Sequence, residues 1–265
     1  MSRNALFWGS ALIVLGVALL LDNLGLLPFP VWNLIGPGLL IVVGIFILFV
    51  VVTGPAKGEA QPLSIPLEGA PAAHVKISHG AGELAIHSGA GPGELVAGTF
   101  GGGVEHTSER DGSRQKVKLS SPLFSFMPWE WFGRNVRAWS IGLSRDIPLS
   151  LEIEAGASRS RLDLSGLMLS EVKLAIGASA AEVSLPAGTG TTRAKIEAGA
   201  AAVDVRIPPE AAARIRWDGG LAALNVDRSR FIQSGNVFET FDFATAVNKL
   251  DIDIEAGVGS VTVRS

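Results

Sequence analysis

The chain of 265 residues contains no cysteine, and this absence removes several kinds of chemistry at once. Without thiols there can be no disulfide, no thiolate nucleophile and no cysteine-ligated zinc site. The absence does not choose a compartment, because a cysteine-free domain suits either side of a membrane.

An excess of positive charge is also missing. The 22 Lys and Arg residues face 25 Asp and Glu residues, which gives a net charge of -3, and no basic run exists. Nucleic acid is therefore excluded as a partner. The glycine-rich runs at 89–93 and 101–103 lack a following Lys-Ser/Thr or helix start, so we interpret them as turns rather than phosphate loops. No cofactor is expected.

No motif supports a catalytic constellation. Glu154, Glu197 and Glu255 each stand two positions before a repeated glycine and would line up as a ladder if the repeats stack. Paired carboxylates can perform acid–base chemistry, but repeated surface carboxylates usually protect strand edges from pairing. We therefore expect no catalytic residue, and a hydrolase built on a β-helix is disfavoured.

The histidines cluster in one part of the chain, which raises the alternative of a metal site. They are His74, His79, His87 and His106. A hairpin closing around Gly80 would bring His74 and His87 opposite each other. Glu83 or His106 could be a further ligand, although the sequence does not place either of them. We interpret them as surface histidines and expect no metal, except that His79 has the inward parity of a half-buried residue.

Two long segments near the N-terminus carry no charge: Ala5–Leu21 and Val31–Thr53. Roughly 20 apolar residues span a bilayer, and Trp8 and Trp32 lie near the start of each segment, where amphipathic rings prefer the headgroup level. Buried core helices, or a cleaved signal peptide in the first segment, are the alternatives. The preferred prediction is a transmembrane helical hairpin over residues 1–53.

The charges around this hairpin predict its orientation. Arg3 precedes the first span and Lys57 follows the second, whereas the connecting turn carries only Asp22. Because Lys and Arg are retained in the cytoplasm, both termini and the following domain are expected to be cytoplasmic. The predicted location is a bacterial cell membrane, spanned twice.

Residues 54–73 hold four prolines and three glycines. Such a composition is typical of an extended, semi-stiff linker. We therefore predict a linker over 54–73 and a β-repeat domain over 74–265.

One sequence pattern, centred on a glycine, recurs six times in that domain. The glycines are Gly80, Gly156, Gly177, Gly199, Gly220 and Gly257. Each has an apolar residue five and three positions before it and six after it, and the central four are spaced by about 21 to 22 residues, a period typical of solenoids. The pattern predicts strand, tight glycine turn and strand, repeated as a β-solenoid-like stack of strands.

Five units are expected to follow one another in this stack: Leu149–Leu164, Val172–Leu185, Ala194–Ile207, Ala213–Val226 and Leu250–Val263. Ile153, Leu174 and Ile196 should lie above one another in the core. Gly177 and Gly199 should adopt positive φ or permit close backbone approach. Residues 227–249, which are rich in phenylalanine, should form an extra hairpin that covers one end.

The segment from Pro122 to Arg145 interrupts the repeats with large aromatic and arginine side chains. The candidate contact residues are Phe124, Phe126, Trp129, Trp131, Phe132, Arg134, Arg137 and Trp139. Such clusters mark interfaces or membrane-surface contact. Two interpretations stay open: the segment caps the solenoid core, or it contacts the membrane or a membrane-embedded partner.

The N-terminal segment resembles the membrane region of LiaF-type envelope-stress proteins in Leu6-Phe7-Trp8-Gly9, in the turn Asp22-Asn23-Leu24-Gly25-Leu26-Leu27 and in Trp32. The run from Ile147 through Gly156-Ala157-Ser158, Leu162-Asp163-Leu164-Ser165-Gly166-Leu167, Gly177-Ala178-Ser179 and Gly199-Ala200-Ala201 to Gly257-Val258-Gly259-Ser260-Val261 is similar to their C-terminal toast-rack, or adhesin-like, domain. Some members have more spans than the two expected here.

This resemblance implies a non-enzymatic membrane protein that modulates signalling in the bacterial cell-envelope stress response, often against a sensor kinase. The expected function is that of a non-catalytic, membrane-anchored regulator or sensor scaffold. The expected partners are the lipid bilayer, a membrane sensor kinase or another envelope-stress protein, and a second copy in a homo-oligomer. The alternative is a surface-exposed adhesin-like or self-assembling structural β module.

Overall fold

The structure is a computed structural model. It describes residues 60–122, 138–188 and 190–265, together with Leu40, Ile41 and Gly44, which are helical. The chain divides into two units, Met1–Pro55 and Ala56–Ser265. Among the described residues no helix is long and apolar enough to cross a membrane, and apart from those three positions the predicted hairpin lies outside them.

The described part of the second unit is built from strands. They are β1 (Gln61–Pro66), β2 (Ala72–His87), β3 (Glu94–Phe100), β4 (Glu105–Asp111), β5 (Arg114–Ser120), β6 (Ala138–Leu143), β7 (Leu149–Asp163), β8 (Leu169–Ile176), β9 (Ala180–Ser184), β10 (Thr191–Arg206), β11 (Ala212–Val226), β12 (Phe231–Ser234), β13 (Val237–Thr240) and β14 (Lys249–Arg264). The mainly β, stacked-strand class predicted from the repeats is confirmed.

The centre of the domain is a parallel stack in the order β2, β7, β8 with β9, β10, β14, β11. Ile153 pairs with Leu174, and Leu174 pairs with Ile196. These three side chains are 1%, 1% and 0% exposed, as the repeat pattern predicts. Each strand, or pair of half-strands such as β8 and β9, forms one layer of the stack, which we call a rung. Aligned apolar rows of this kind bury each rung against the next, so the stack has one continuous core.

Five of the six repeated glycines lie inside strands, and Gly177 lies between β8 and β9, which both run parallel to β10; the predicted tight turns are wrong. β7 continues through Gly156, and its partners on both sides remain parallel. Burial alternates up to Ala155, then Gly156 and Ala157 are both exposed, and alternation resumes from Ser158. Two successive exposed residues change the phase of the alternation, as at a β-bulge. Each glycine therefore marks a corner at which both halves of a strand keep facing the core.

The order of the rungs differs from the order in the sequence. β14 is the last strand of the chain, yet it pairs with β10 on one side and with β11 on the other. The prediction of five successive units is therefore wrong in its last step, because local periodicity carries no information about which rung neighbours which. The predicted hairpin at 227–249 exists as β12 and β13, and it pairs with Arg214–Arg216 of β11.

At the other end of the stack, β5 pairs with the first half of β2 and β6 pairs with the second half. β4 lies outside β5, while β3 and β1 lie outside β6. β1 falls within the predicted linker, and Ile65 and Ala70 are only 4% and 3% exposed. The predicted linker of 54–73 therefore extends too far, since the residues from Gln61 onward belong to the domain.

Candidate interaction surfaces

Most of the predicted contact cluster lies outside the described residues. This holds for Phe124, Phe126, Trp129, Trp131, Phe132, Arg134 and Arg137. Trp139 is described, and it is 2% exposed. Its predicted role in surface contact is wrong, because strand β6 begins at Ala138 and turns the indole into the core.

The surroundings of Trp139 explain its burial. The indole Nε1 donates a hydrogen bond to the carbonyl oxygen of Gly101 at 3.2 Å. Phe100 meets the ring edge-on at 5.0 Å between centroids, and His79 lies tilted against it at 4.9 Å. Edge-to-face aromatic pairs contribute about 0.5–1.5 kcal/mol beyond the area they bury. Trp139 therefore caps the core, in agreement with one of the two interpretations of this segment.

We define the aromatic segment as residues 123–137, which connect β5 with β6 in the sequence, and its described flanks show where the chain leaves and rejoins the stack. Ser121 donates its backbone N–H to the carbonyl of Ser78 at 3.1 Å, just before the Gly80 corner of β2. Ala138 pairs with Glu83, just after that corner. β5 and β6 are thus the two halves of one terminal rung, as β8 and β9 are of another.

The first strand of the domain, β1, lies close to the same flanks of the aromatic segment. Gln61 pairs with Phe100, and Phe100 pairs with Trp139. A Cβ built at Gly103 would lie 3.7 Å from Pro122 Cγ and 3.8 Å from Gln61 Oε1. Both ends of the aromatic segment therefore lie beside the point at which the chain enters the domain.

The corner glycines form a ladder in which backbones approach closely. A Cβ at Gly156 would lie 2.4 Å from the carbonyl oxygen of Gly80, and one at Gly177 would lie 3.0 Å from that of Gly156. A Cβ at Gly199 would lie 3.2 Å from the oxygen of Gly177. None of these glycines has positive φ, so close approach is the reason for glycine, which was one of the two expected reasons.

The predicted carboxylate ladder forms the rim of a groove along these corners. Glu197 and Glu255 pair directly, but Ala175 stands between Glu197 and Glu154. Lys195 reaches Glu197 at 2.6 Å and Glu255 at 3.0 Å. Hydrogen bonds to these two carboxylates raise the pKa of the Lys195 ammonium above its usual value.

The remaining carboxylate of the ladder is held in the same manner. Lys76 Nζ donates to Glu152 at 2.8 Å and to Glu154 at 2.6 Å, and Ser78 Oγ donates to Glu154 at 2.8 Å. The bonds from Lys76 and then Ser78 hold the pKa of Glu154 below its usual value. A general acid needs a raised pKa, so this carboxylate is suited to bridging strands instead.

A second charge network closes the opposite end of the same face. Arg214 donates to both oxygens of Asp251, at 3.1 Å and 3.0 Å. Arg216 lies 3.2 Å from Asp251 and also binds Asp253. Burial acts to raise the pKa of Asp251, but the hydrogen bond from Arg214 and the charge of Arg216 outweigh it and lower that pKa.

The structure does not bring the histidines together. His74 and His87 lie near opposite ends of the continuous strand β2, and His74 contacts Ser150 at 3.2 Å and Glu152 at 3.9 Å instead. His79 is buried, as its parity predicted, and more completely than expected at 2% exposure. Within residues 60–122, 138–188 and 190–265 no group of histidine and carboxylate side chains could hold a metal ion.

Sequence reasoning missed one surface. Leu221 and Val258 are paired neighbours just after the corners of β11 and β14, and they are 86% and 53% exposed. The available signal was the run from Gly219 to Val226, which contains no charge. Periodicity alone concealed it, because the run fits the repeat.

Comparison with known proteins gives the family. Residues 53–206, more than half of the chain, match the family described as the N-terminal domain of toast_rack, DUF2154. The chain belongs to the toast_rack family. Residues 6–48 match the LiaI-LiaF-like transmembrane region, which indicates membrane anchoring. The predicted resemblance is confirmed in both parts.

A solved structure supports the toast-rack fold. A crystal structure of "a putative cell adhesion protein" from Clostridium sporogenes is similar with a TM-score of 0.68, over 77% of this chain and 98% of that chain, at 22% identity. At that identity the likeness concerns the fold alone. A comparison with curated proteins finds no match.

Proposed function

We propose that this protein is a non-catalytic, membrane-anchored regulator or sensor scaffold in bacterial cell-envelope stress signalling. The observation that carries the proposal is the succession within one chain of a LiaI-LiaF-like transmembrane region at 6–48 and a toast_rack domain from 53. In this proposal the N-terminal region is a hairpin of two spans and the β domain lies in the cytoplasm, where it meets a membrane sensor kinase or another envelope-stress protein.

The charges of the stack favour a scaffold over an enzyme. Glu154, Glu197 and Glu255 are each held by a lysine that bridges neighbouring carboxylates. All three carboxylates already bind a lysine, and the pKa of Glu154 is lowered rather than raised. We therefore infer that the stack is a rigid support, from which the connecting segments present contact groups.

The aromatic segment is the proposed contact element. Its ends, at Pro122 and Ala138, lie beside Gln61, near the start of the β domain. In this arrangement Trp129 and Trp131 meet the bilayer surface or a membrane-embedded partner, and Arg134 and Arg137 match an anionic cytoplasmic leaflet. Trp139 takes no part in this contact, since it caps the core.

The test is a stress reporter in the bacterium that encodes the protein. Deleting the protein should change the reporter's response to a cell-wall antibiotic, and the full chain should restore it. A chain with Trp129→Ala and Trp131→Ala should reach the membrane in normal amounts and fail to restore the response. The matched control is Phe241→Ala, which removes an aromatic side chain that is 78% exposed on the other end of the domain. An unchanged response after deletion would contradict the proposal.

Protease protection on membrane vesicles separates this function from the alternative. Cell adhesion, which the name of the similar crystal structure mentions, requires a domain outside the cell. Protease added to intact spheroplasts should leave the β domain undigested, and protease added to inverted membrane vesicles should digest it. The reverse pattern would favour the adhesin-like or self-assembling module.

A further inference from the structure

The described stack has four outer strand edges, and three of them carry features that oppose pairing with another chain. β4 has a fully exposed sequence with four charged residues in seven, β1 carries Pro62 and Pro66, and β12 is only four residues long. The fourth edge is the second half of β11, Leu221–Val226. It pairs with β14 on one side, and no described strand lies on its other side.

This fourth edge lacks each of the three protective features. The run from Gly219 to Val226 contains no charge and no proline, and Leu221 presents 86% of its surface to solvent. The first half of the same strand is covered by β13. An uncharged, unpaired edge with exposed leucine is suited to accept a further strand.

The aromatic segment is too short to supply that strand. It leaves and rejoins the domain at β5 and β6, and a strand beside β11 would lie seven strand steps from β6. At about 4.8 Å a step, the way out and back measures about 67 Å. The chain from Pro122 to Ala138 extends to at most about 58 Å, at no more than about 3.6 Å a residue. The occupant therefore comes from elsewhere.

We propose that this edge pairs antiparallel with the same edge of a second copy of the chain, with Ala223 of each copy on the two-fold axis. In that register Ala222 faces Leu224, and both are half-buried on the core side. Leu221 faces Asn225, and both are exposed. Antiparallel pairing thus keeps each residue on its own face of the sheet.

The same register brings no like charges opposite each other along the paired edge. Residues 220–226 of one copy face the same residues of the other copy in reverse order, and none of them is charged. A self-complementary patch of this kind is what a two-fold dimer requires.

A single introduced cysteine tests the axis, since the natural chain has none. Full-length Ala223→Cys in membranes should form a disulfide-linked dimer under mild oxidation, because residues on the axis face themselves. Full-length Thr107→Cys, at a position of the charged edge β4 that is also exposed, is the matched control and should stay monomeric. Equal cross-linking of the two variants, or none in Ala223→Cys, would overturn the proposal.

Charge reversal at the same position gives a second, independent test. Ala223→Lys and Ala223→Glu each place two like charges opposite each other, which should weaken association by about tenfold or more. An equimolar mixture of two differently tagged variants should associate again, because lysine then faces glutamate. Because Ala223 is exposed, both variants should fold. Dimers that survive both substitutions would show that another surface joins the copies, and a mixture that does not recover would overturn the register.

Discussion

The two halves of β11 belong to one strand and solve the edge problem in opposite ways. The first half carries Arg214 and Arg216, which bind Asp251 and Asp253 of the neighbouring rung, and β13 covers its outer side. The second half, Leu221–Val226, is uncharged and has no described strand on its outer side. A stack can therefore be closed on one half and left available for pairing on the other.

The opposite end of the stack sharpens this contrast. There both halves of β2 are covered, one by β5 and the other by β6. The strands added beyond them end in a charged strand and in a strand with two prolines. Among the described residues, only the end formed by β11 keeps an unprotected edge.

The largest effect is expected where a rung is enclosed on both sides. Leu174→Ala removes a side chain that is 1% exposed between Ile153 and Ile196, and it should cost about 2–5 kcal/mol of unfolding free energy. Leu224→Ala, at the open edge, should cost under about 2 kcal/mol, because the site is already half-exposed. Urea unfolding of the full chain in detergent measures both, and equal costs would contradict the difference between interior and edge.

A smaller effect is expected from the glycine ladder. Gly156→Ala would place a Cβ 2.4 Å from the backbone oxygen of Gly80, and the shift this forces should cost about 1–3 kcal/mol. Gly80→Ala is the matched control, since nothing lies within 4 Å of its Cβ, and it should change stability by less than about 0.5 kcal/mol. Similar losses in the two variants would mean that close approach is not the reason for glycine.

The smallest effect concerns the covered half of β11. Asp251→Asn weakens the hydrogen bonds from Arg214 and Arg216, and it should cost about 1–2 kcal/mol at neutral pH, given the partial exposure of the arginines. The pKa of Asp251 is lowered in the folded state, so its contribution is present above the unfolded pKa of about 3.9 and is lost as pH falls through the folded value. Unfolding curves of the variant and the natural chain should therefore converge below that pH. Curves that stay parallel would contradict this role.

The sequence predicts which residues form each rung better than it predicts the order in which the rungs stack. The apolar positions around Ile153 and Leu174 follow from a period that local burial enforces. The place of β14 between β10 and β11 does not follow from it, because every rung offers the same pattern of apolar rows to its neighbours. The corner geometry was also missed, since a glycine required by a neighbouring carbonyl oxygen looks the same in sequence as a glycine required by a turn.

The interaction surfaces follow the same division. The carboxylate ladder was predicted because its members keep one distance from the glycines, and only the interruption at Ala175 was unforeseen. Trp139 was assigned to the wrong surface because composition groups it with Trp129 and Trp131, whereas the strand that begins at Ala138 places it in the core. The open edge at Leu221 depends on which strand lies last, and that is a property of the three-dimensional order.

The central claim is that the two ends of the stack differ, and hydrogen exchange of the full chain in detergent tests it most directly. Those amides of Leu221–Val226 that point away from β14 should exchange fast at high dilution and more slowly at high protein concentration, where a second copy covers the edge. Amides of Glu105–Asp111, on the charged edge β4, should exchange at the same rate at both concentrations. Exchange at Leu221–Val226 that is independent of concentration, or equal changes at both edges, would contradict the account.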